Sequence, residues 1–487
     1  MNDISIAVDK LVDYARKNLL LSKENEMCAR NAVLDALGMP EYAYTGAACD
    51  DVYPDGPLKE LFSACEAAGL FAPDEEEEYG DRVMGALTLP PEGIRRRFAA
   101  EFEGNGAKAA TDWFYTYCVK NDYVKKSKLD KNPRFEEGGL VVTINKAKPE
   151  FRDPKKAASG NSVKGGYPKC AICRENEGCP VRNKRTLRTV DLTLDGEKWF
   201  WQYSPYGYFY QHGIAVNCEH TPMHVDRSTF CKLTDFVDMF PHYFIGCNAP
   251  LPRIGGSVLA HDHFQGGGEI LPMHRAGAYK TLTSQNFDGI VEILDWPGTV
   301  IRVVSRDREA LVDVCEGIRE KWVSFKDKSL GIIPEDGQGV HNAVSPTVVK
   351  TERGYEMSVI LRSNITSEQY PDGVFHAHPE FHSVKKESIG LIEAQGLFIL
   401  PGRLERELGE VAEIIEQKGE LPPEYAQFKL IFEEAKEIYG ASPKAGAWAA
   451  IQRELGSICY RILGNTAVFK DKELTVKFME ELGFKTV

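Results

Sequence analysis

Several features are scarce in this chain of 487 residues, and each absence excludes a class of protein. The longest apolar stretch, residues 389–400, is interrupted by Glu393 and Gln395, so we expect no membrane-spanning helix. The amino terminus lacks a basic segment followed by an apolar core, so we expect no secretory signal. Positive charge is not in excess either, because the net charge is −13. Nucleic acid is therefore not expected as the main partner, whereas a small phosphorylated ligand needs only a local basic pocket.

The twelve cysteines do not form the dense, regular pattern of a disulfide-bonded protein. They are scattered along a long chain, and several fall inside helical or strand patterns. This usage is typical of reduced thiols, so we predict a cytoplasmic location.

The spacing of apolar residues divides the chain into three parts. Residues 1–137 are predicted to be a mostly helical extension, in which Val8, Leu11 and Leu19 recur at helical spacing. From residue 138 to residue 285 the pattern changes to strands with one helix. Residues 286–487 loosely repeat this order and end in a helical tail. The sequence thus predicts an α+β fold in which two similar halves with antiparallel sheets follow one another.

The most informative motif is His261-Asp262-His263-Phe264-Gln265, followed by the three glycines of residues 266–268. A strand would aim His261, His263 and Gln265 the same way, because side chains alternate along a strand. Glycine backbone N–H groups can approach an anion closely, since no Cβ is in the way. An imidazole beside such a cradle can attack phosphorus and form a covalent intermediate. The alternative is that the histidines make structural hydrogen bonds or bind a metal.

A second constellation is the pair Cys170 and Cys173, whose two-residue gap lets both thiolates bind one tetrahedral zinc. The best further donors are His220 and His261, and Cys179 is an alternative ligand. A redox pair or two unrelated buried thiols would also explain the cysteines. A closed site of four ligands would be structural and would orient the neighbouring His263.

Further charged and histidine clusters have simpler explanations beside functional ones. Basic residues cluster at 146–156 and 182–188, and one or two of them could neutralise a diphosphate, although most are expected to be surface charges. His376, His378 and His382, with Glu380 between them, suggest a second metal on a strand face. The simpler explanation of these histidines is a polar rim that holds an acceptor substrate.

Read together, these motifs resemble the galactose-1-phosphate uridylyltransferases of the histidine-triad superfamily, specifically their class II, bacterial branch. The resemblance covers most of the chain from about residue 138 onward, whereas the amino-terminal helices match only as an extension. The motif His-x-His-x-Gln alone marks the superfamily, and its combination with the flanking phrases makes the assignment specific. These phrases are residues 143–146, 244–249, 252–257, 261–267 and 375–382.

The resemblance implies a double-displacement reaction carried out by His263. In the family, the second histidine of the motif attacks the α-phosphorus of UDP-glucose and releases glucose 1-phosphate, and the uridylyl-histidine then passes UMP to galactose 1-phosphate. Gln265 matches the glutamine that hydrogen-bonds the transferred group, where related hydrolases have a third histidine. An amide cannot act as a general acid or base, so water is poorly activated and the intermediate survives.

The resemblance also implies the fold and the remaining site residues. Both halves would be histidine-triad-like (HIT-like), and the protein would act on small sugar phosphates as a homodimer. A structural zinc would be bound by Cys170, Cys173, His220 and His261, with a second metal near His376 and His378. Asp262 and Phe264 stand where the class I branch has proline and glycine, so the pocket wall must differ. The predicted substrate-binding residues are Asn248, Arg253, Gly255, Gly256, Ser257, Gly266 and Gly267.

Two other functions remain open at this point. The first is a nucleotide hydrolase or dinucleoside polyphosphate phosphorylase that uses the same histidine. Gln265 argues against the hydrolase, because the third histidine is missing. The second is a zinc-dependent nucleotide-binding protein without catalytic activity, for which an intact catalytic strand would have no purpose.

Overall fold

The computed structural model describes residues 2–39, 41–146, 166–256, 258–337 and 339–487. In this part of the chain, helices dominate both ends and strands dominate the middle. No helix in these ranges is long and apolar enough to cross a membrane. The α-helices span Asn2–Asn18, Glu26–Ala36, Asp55–Ala67, Glu76–Leu87, Pro91–Asn105, Ala107–Lys120, Lys126–Leu129, Arg227–Met239, Arg308–Ser324, Leu391–Ala394, Arg403–Glu416, Lys429–Ala441, Ala447–Thr466 and Lys472–Glu480.

The amino-terminal helices form a layer against one face of a large sheet. Their apolar residues share one continuous core with the strands of that sheet. Phe114 packs on Tyr203 of the sheet with ring centroids 5.2 Å apart, and the Tyr203 hydroxyl donates to the carbonyl of Thr111 at 2.9 Å. The predicted helical extension is therefore present, and it is built into the main core rather than lying apart from it.

Within the described ranges, eleven strands form one sheet, and each neighbouring pair in it is antiparallel. From one edge to the other, the strands are Lys485–Thr486, Ala278–Ser284, Phe287–Leu294, Val300–Ser305, Gly354–Ser363, Asn342–Thr351, Phe244–Gly246, His263–Gly267, Gly213–Asn217, Glu197–Tyr203 and Val190–Leu194.

The sheet contains the same arrangement twice, which confirms the predicted tandem halves. In each half, three successive strands are followed by a helix and two more strands, and the last strand pairs with the third. The helices Arg227–Met239 and Arg308–Ser324 contact each other and pack in the same core. The halves meet where Phe244–Gly246 pairs with Asn342–Thr351. The repeated order begins with Ala278–Ser284, ahead of the predicted boundary at residue 286.

A smaller sheet joins the start of the first half to the end of the second. Its strands are Arg134–Glu137, Leu140–Asn145 and Leu397–Pro401, and the last two run parallel to each other. The carboxy-terminal helices share a second core with this sheet. A parallel pair was not predicted; it needs a long connection between its strands, which the chain between residues 145 and 397 supplies.

Two predicted strands are wrong in detail. The strand of the histidine motif was predicted to include His261, but it begins at His263, and His261 lies in the preceding bend. His376 and His378 were predicted on a strand face, but they lie in an irregular segment that leads into the short 3₁₀ helix Pro379–Phe381. The strand of the second half that corresponds to the motif strand is Gly354–Ser363, so the two His-x-His pairs are not equivalent in the fold.

Two carboxyl groups share one guanidinium in the helical tail. Arg461 donates to Glu434 at 2.9 Å and also pairs with Glu454, which is almost fully buried. Burial, followed by the nearby Glu434, raises the pKa of Glu454 above its ordinary value of 4.5. The folded protein therefore favours the protonated form of Glu454.

We expect this group to make stability depend on pH. A carboxyl group whose pKa is raised by folding stabilises the protein fully below pH 4.5. That contribution is lost as the pH rises through the higher folded-state pKa. Glu454→Gln mimics the protonated form, so its melting temperature should fall less than that of the natural protein between about pH 5 and about pH 9. The exposed Glu437→Gln serves as the control, and parallel melting profiles for all three proteins would contradict the expectation.

Candidate active site and metal centre

The motif strand, His263–Gly267, lies in the large sheet between Gly213–Asn217 and Phe244–Gly246. Phe264 points into the main core, where its ring stacks on Trp199 with centroids 4.6 Å apart. Because side chains alternate along a strand, His263 and Gln265 project from the opposite face. The structure thus places the two predicted catalytic side chains side by side on one face of the sheet.

The ring of His263 is held in one orientation by a backbone hydrogen bond. Its Nδ1 donates to the carbonyl oxygen of His261 at 2.8 Å, and the residue is only 6% exposed. With the proton on Nδ1, the lone pair is on Nε2. Burial lowers the pKa of His263, which favours the neutral ring. A neutral imidazole with a free Nε2 lone pair is chemically able to act as a nucleophile.

Gln265 has a histidine neighbour that sequence reasoning missed. The Nε2 of His212 donates to the Oε1 of Gln265 at 3.4 Å, and the His212 ring stacks on Tyr208 with centroids 4.8 Å apart. Burial lowers the pKa of His212 to about 4, so this ring stays neutral. The contact directs the amide oxygen of Gln265 toward His212 and leaves the amide N–H groups as donors on the other side.

The glycines of the motif strand are required by close packing of the sheet. A Cβ atom on Gly266 would lie 2.1 Å from the carbonyl oxygen of Phe244, and one on Gly267 would lie 2.4 Å from that of Gln211. Neighbouring backbone therefore fills the space that a side chain would need. The predicted contact of Gly266 and Gly267 with a bound anion stays a prediction.

Asn248 and Arg253, two predicted substrate-binding residues, connect the halves of the molecule. The Oδ1 of Asn248 accepts a hydrogen bond from the backbone N–H of Leu391 at 2.8 Å. Arg253 donates to the carbonyl oxygen of Asn364 from Nη2 at 2.9 Å and from Nε at 3.3 Å. The segment before the motif strand is thus held against the second half of the chain.

The two glycines that follow permit a tight turn in this segment. A Cβ atom on Gly255 would lie 2.3 Å from the carbonyl oxygen of Ala249, and one on Gly256 would lie 2.9 Å from the Nδ2 of Asn248. That Nδ2 has no hydrogen-bond partner among the described residues, which leaves a buried donor beside Gly256. Ser257 lies outside the described residues.

The predicted metal ligands Cys170, Cys173, His220 and His261 converge on one point. Their ligand atoms all lie within 4.8 Å of one another, and Cys179 is not part of the group. The sulfur of Cys173 is 3.5 Å from that of Cys170 and 3.2 Å from the Nδ1 of His220, and the Nδ1 of His261 is 3.3 Å from the Cys170 sulfur. Bond lengths of about 2.3 Å to sulfur and about 2.0 Å to nitrogen give tetrahedral edges of about 3.3 to 3.8 Å. The donor set and its dimensions therefore fit zinc.

Hydrogen bonds around this cluster orient its ligands. The Nε2 of His261 donates to the carbonyl oxygen of Asn217 at 2.8 Å, which leaves its Nδ1 lone pair facing the cysteines. The backbone N–H of Cys170 donates to the sulfur of Cys173 at 3.3 Å. His261 faces the cysteines, and its own carbonyl oxygen accepts the hydrogen bond from His263. One residue therefore contacts both the metal cluster and the candidate nucleophile.

The second histidine cluster makes local contacts to the backbone. His376 and His382 each have a ring nitrogen near the carbonyl oxygen of Ala377, at 3.2 and 3.0 Å, and His378 has one 3.1 Å from that of Val374. In the part of the chain that the structure describes, the cysteine–histidine cluster is the only group of three or more residues placed to bind a metal. The second metal therefore lacks a third protein ligand there.

Some residues of the two predicted basic clusters contact other protein groups, and others lie outside the described residues. Lys146 pairs with Glu405 at 2.8 Å. Arg185 and Arg188 bind groups of the amino-terminal helices and their connection. Residues 148–156 lie outside the described residues, so the structure does not test them as diphosphate ligands.

Comparison with known families assigns both halves of the chain. The family model described as galactose-1-phosphate uridyl transferase, N-terminal domain, matches residues 66–222. The model described as galactose-1-phosphate uridyl transferase, C-terminal domain, matches residues 236–425. Together the two matches include the motif strand, the two strands beside it and the four residues of the metal cluster. They also include most of the large sheet.

Curated relatives match almost the whole chain. The chain is 52% identical to a galactose-1-phosphate uridylyltransferase of Bifidobacterium longum, and the match covers 99% of each chain. It is 35% identical to the galactose-1-phosphate uridylyltransferase of Halalkalibacterium halodurans, with 96% of each chain covered. A crystal structure of yeast Ap4A phosphorylase aligns with 66% of this chain and 89% of its own, at a TM-score of 0.34 and 13% identity.

Proposed function

This chain belongs to the galactose-1-phosphate uridylyltransferase family, and we propose that it transfers UMP from UDP-glucose to galactose 1-phosphate through His263. It is a nucleotidyltransferase. The observation that supports His263 most directly is its fixed ring, in which Nδ1 donates to a backbone carbonyl and Nε2 has no hydrogen-bond partner among the described residues. The products are UDP-galactose and glucose 1-phosphate.

In the first half-reaction, the Nε2 lone pair of His263 attacks the α-phosphorus of UDP-glucose. A nitrogen–phosphorus bond forms, and the bond from that phosphorus to the oxygen of glucose 1-phosphate breaks. The leaving group is a phosphate, which departs as an anion without needing a proton. The proton stays on Nδ1 of the charged ring, and its hydrogen bond to the carbonyl oxygen of His261 stabilises the uridylyl-histidine.

In the second half-reaction, a phosphate oxygen of galactose 1-phosphate attacks the same phosphorus. The phosphorus–nitrogen bond breaks, and the electron pair returns to Nε2 of His263. Attacking and leaving groups are chemically alike in the two steps, so the chemistry needs little general acid–base catalysis. The amide N–H groups of Gln265 lie beside His263 and can donate to the phosphoryl oxygens while holding no transferable proton.

The substrate-binding roles of the flanking residues belong to the same proposal. Asn248 is supported by its unpartnered Nδ2, which is a buried donor next to Gly256. The segments before and after His263 are held in place by the contacts of Arg253 and by close backbone packing at Gly255, Gly266 and Gly267. Ser257 is included by family resemblance alone.

Zinc is the metal that suits the cluster of two thiols and two imidazoles. Because all four positions are taken by protein ligands, a bound zinc would be structural and would activate no water. Cys170 and Cys173 would thereby be tied to His261, whose carbonyl oxygen orients the ring of His263. A second metal near His376 and His378 would need ligands from outside the described residues.

The protein is proposed to work in the cytoplasm, on the basis of its cysteine usage, and as a homodimer, as the family resemblance implies. Its twelve cysteines are all free thiols, which suits a reducing compartment. The proposed units are residues 1–137, 138–285 and 286–487. Sedimentation velocity of the purified protein measures the oligomeric state, and a monomer at all concentrations would contradict the dimer.

Product analysis tests the proposed reaction directly. The protein is incubated with UDP-glucose, with and without galactose 1-phosphate, and the nucleotides and sugar phosphates are separated. We expect UDP-galactose only when the acceptor is present, and a ping-pong rate pattern. Steady UMP release without the acceptor would instead indicate a hydrolase, and a sequential rate pattern would exclude the covalent intermediate.

Gln265→His should convert part of the transfer activity into hydrolysis. The new imidazole can accept a proton from water, which the amide cannot do, and general acid–base catalysis is worth about 10²- to 10⁴-fold. We expect UMP release without acceptor to rise by about tenfold or more. Gln265→Asn, which keeps an amide, is the control and should not gain hydrolysis. Equal UMP release by Gln265→His and Gln265→Asn would contradict the proposal that the amide of Gln265 limits hydrolysis.

A further inference from the structure

Residues 170–179, which we call the cysteine loop, supply half of the metal ligands without any strand to hold them. Its regular structure is limited to the short 3₁₀ helix Arg174–Asn176 and an isolated bridge between Cys179 and Lys184. Inside it, the Nδ2 of the fully buried Asn176 donates to the carbonyl oxygens of Cys170 and Cys173 at 2.9 and 2.8 Å. These bonds fix the shape of the loop, whereas its position must come from contacts with other elements.

One such contact comes from the amino-terminal helix Pro91–Asn105. Arg95 of this helix forms an ion pair with Glu177 of the cysteine loop and also donates to the Thr189 hydroxyl at 3.1 Å. The other carboxylate oxygen of Glu177 accepts the backbone N–H of Thr189 at 2.7 Å. The side chain of Glu177 is only 8% exposed, so the pair is largely shielded from solvent.

A second set of contacts holds the segment that follows the loop, residues 184–189. Asp81 of helix Glu76–Leu87 accepts from the backbone and the guanidinium of Arg185 at 2.9 and 2.7 Å. Asn121 donates to the carbonyl oxygen of Thr186 at 2.7 Å, and Arg188 donates to that of Leu89 at 2.6 Å. The amino-terminal layer thus binds this segment at several points.

The segment is in turn tied back to the loop. The partly buried ammonium group of Lys184 donates to the carbonyl oxygen of Ala171, between the two cysteines, at 2.7 Å. Together with the Arg95–Glu177 pair, this bond connects the amino-terminal helices to both ends of the cysteine loop. His220 and His261 come from the sheet side, so the cluster forms between the cysteine loop and the sheet.

We infer that the amino-terminal helices position the cysteine loop for metal binding, with Arg95 and Glu177 as positioning residues. The inference rests on the proposed metal site. Metal–ligand distances tolerate shifts of only about 0.2 Å, so a loop that moves relative to the sheet loses affinity for the metal. The extension would therefore act on His263 indirectly, through the cysteine loop and His261.

Zinc release tests this inference in the full-length protein. Arg95→Met, Glu177→Gln and the double variant are loaded with zinc, and transfer of the metal to an excess of a chromogenic chelator is followed. Arg97→Met is the matched control, because Arg97 lies on the same helix and pairs with Glu101 of that helix. If Arg95→Met does not fold, Arg95→Lys keeps the charge with a single donor group and should release zinc at an intermediate rate.

We expect Arg95→Met and Glu177→Gln each to release zinc about tenfold faster than the natural protein, as for other residues that support metal ligands. The double variant should accelerate release by much less than the product of the two single effects, because both changes break the Arg95–Glu177 pair. Release at the natural rate by Arg95→Met, or equal acceleration by Arg97→Met, would overturn the inference.

The test separates this inference from the proposals on which it depends. Natural protein that binds no zinc would remove the metal site and the inference together. Formation of the uridylyl adduct, measured by intact mass on the same samples, reports on the proposed function independently. Unchanged zinc release with normal adduct formation would therefore reject only the positioning role.

Discussion

His263→Ala should form no covalent adduct with UDP-glucose, whereas the natural protein should gain a UMP-sized increment in its intact mass. The alanine removes the only ring nitrogen that the motif strand offers to the α-phosphorus, so both half-reactions stop. We expect the transfer rate to fall by roughly 10⁴-fold or more. Mass spectrometry after brief incubation with UDP-glucose measures the adduct, and a coupled assay for UDP-galactose measures the rate.

A suitable control for this experiment is His242→Ala. His242 is a half-buried histidine whose Nε2 lies 2.9 Å from the Thr111 hydroxyl, next to the amino-terminal helices. Its loss should leave both the adduct and the rate close to natural values. An adduct of normal yield on His263→Ala would show that another residue carries the uridylyl group.

Cys173→Ser should lose zinc and thermal stability together. The Cys173 sulfur is within 3.6 Å of three other ligand atoms of the cluster. Its loss therefore removes the donor that lies close to all of the other ligands. A structural zinc contributes directly to folding, and we expect the melting temperature to fall by roughly 5 °C or more. Elemental analysis and calorimetry of the same preparation measure both effects.

Cys179→Ser provides the comparison for that variant. Cys179 lies in the same loop and is buried, but it is not part of the ligand cluster. We therefore expect this variant to keep a full complement of zinc. If Cys173→Ser also keeps its zinc, the assignment of the cluster as a metal site is wrong.

Parts of the site could be predicted from the sequence because Cys170 and Cys173, and likewise His263 and Gln265, lie within a few residues of each other. The alternation of His263 and Gln265 follows from strand geometry, and Cys170 with Cys173 follows from the turn that a zinc requires. The two helical ends and the tandem halves also follow from apolar spacing. His220 and His261 were expected as the further donors from the sequence, family resemblance implied the same four ligands, and the structure brings them together.

The errors in the prediction arise where tertiary contacts override local pattern. His261 fits the strand alternation, yet it lies ahead of the strand, where its ring reaches the cysteines and its carbonyl oxygen reaches His263. His376 and His378 alternate in the same way, but Pro379 begins a short helical turn that ends any extended segment. Spacing alone does not distinguish these two situations.

Other residues could not be predicted because they come from distant parts of the chain. His212 reaches Gln265 only through the antiparallel register of their strands. Arg95 reaches Glu177 across 82 positions of sequence, and no local motif marks either residue. Such contacts depend on how the layers dock, which one sequence without a structure does not reveal.

The junction between Phe244–Gly246 and Asn342–Thr351 has a consequence for how the two halves operate. Because both strands belong to one polypeptide, dilution cannot separate them, and each half meets the other at a fixed, very high effective concentration. A nucleophilic histidine is then needed in only one half of the chain. The other half is always present and can serve as its structural support. Expressed alone, either half would expose a central strand as a bare edge, so we expect the separate fragments to aggregate rather than to fold.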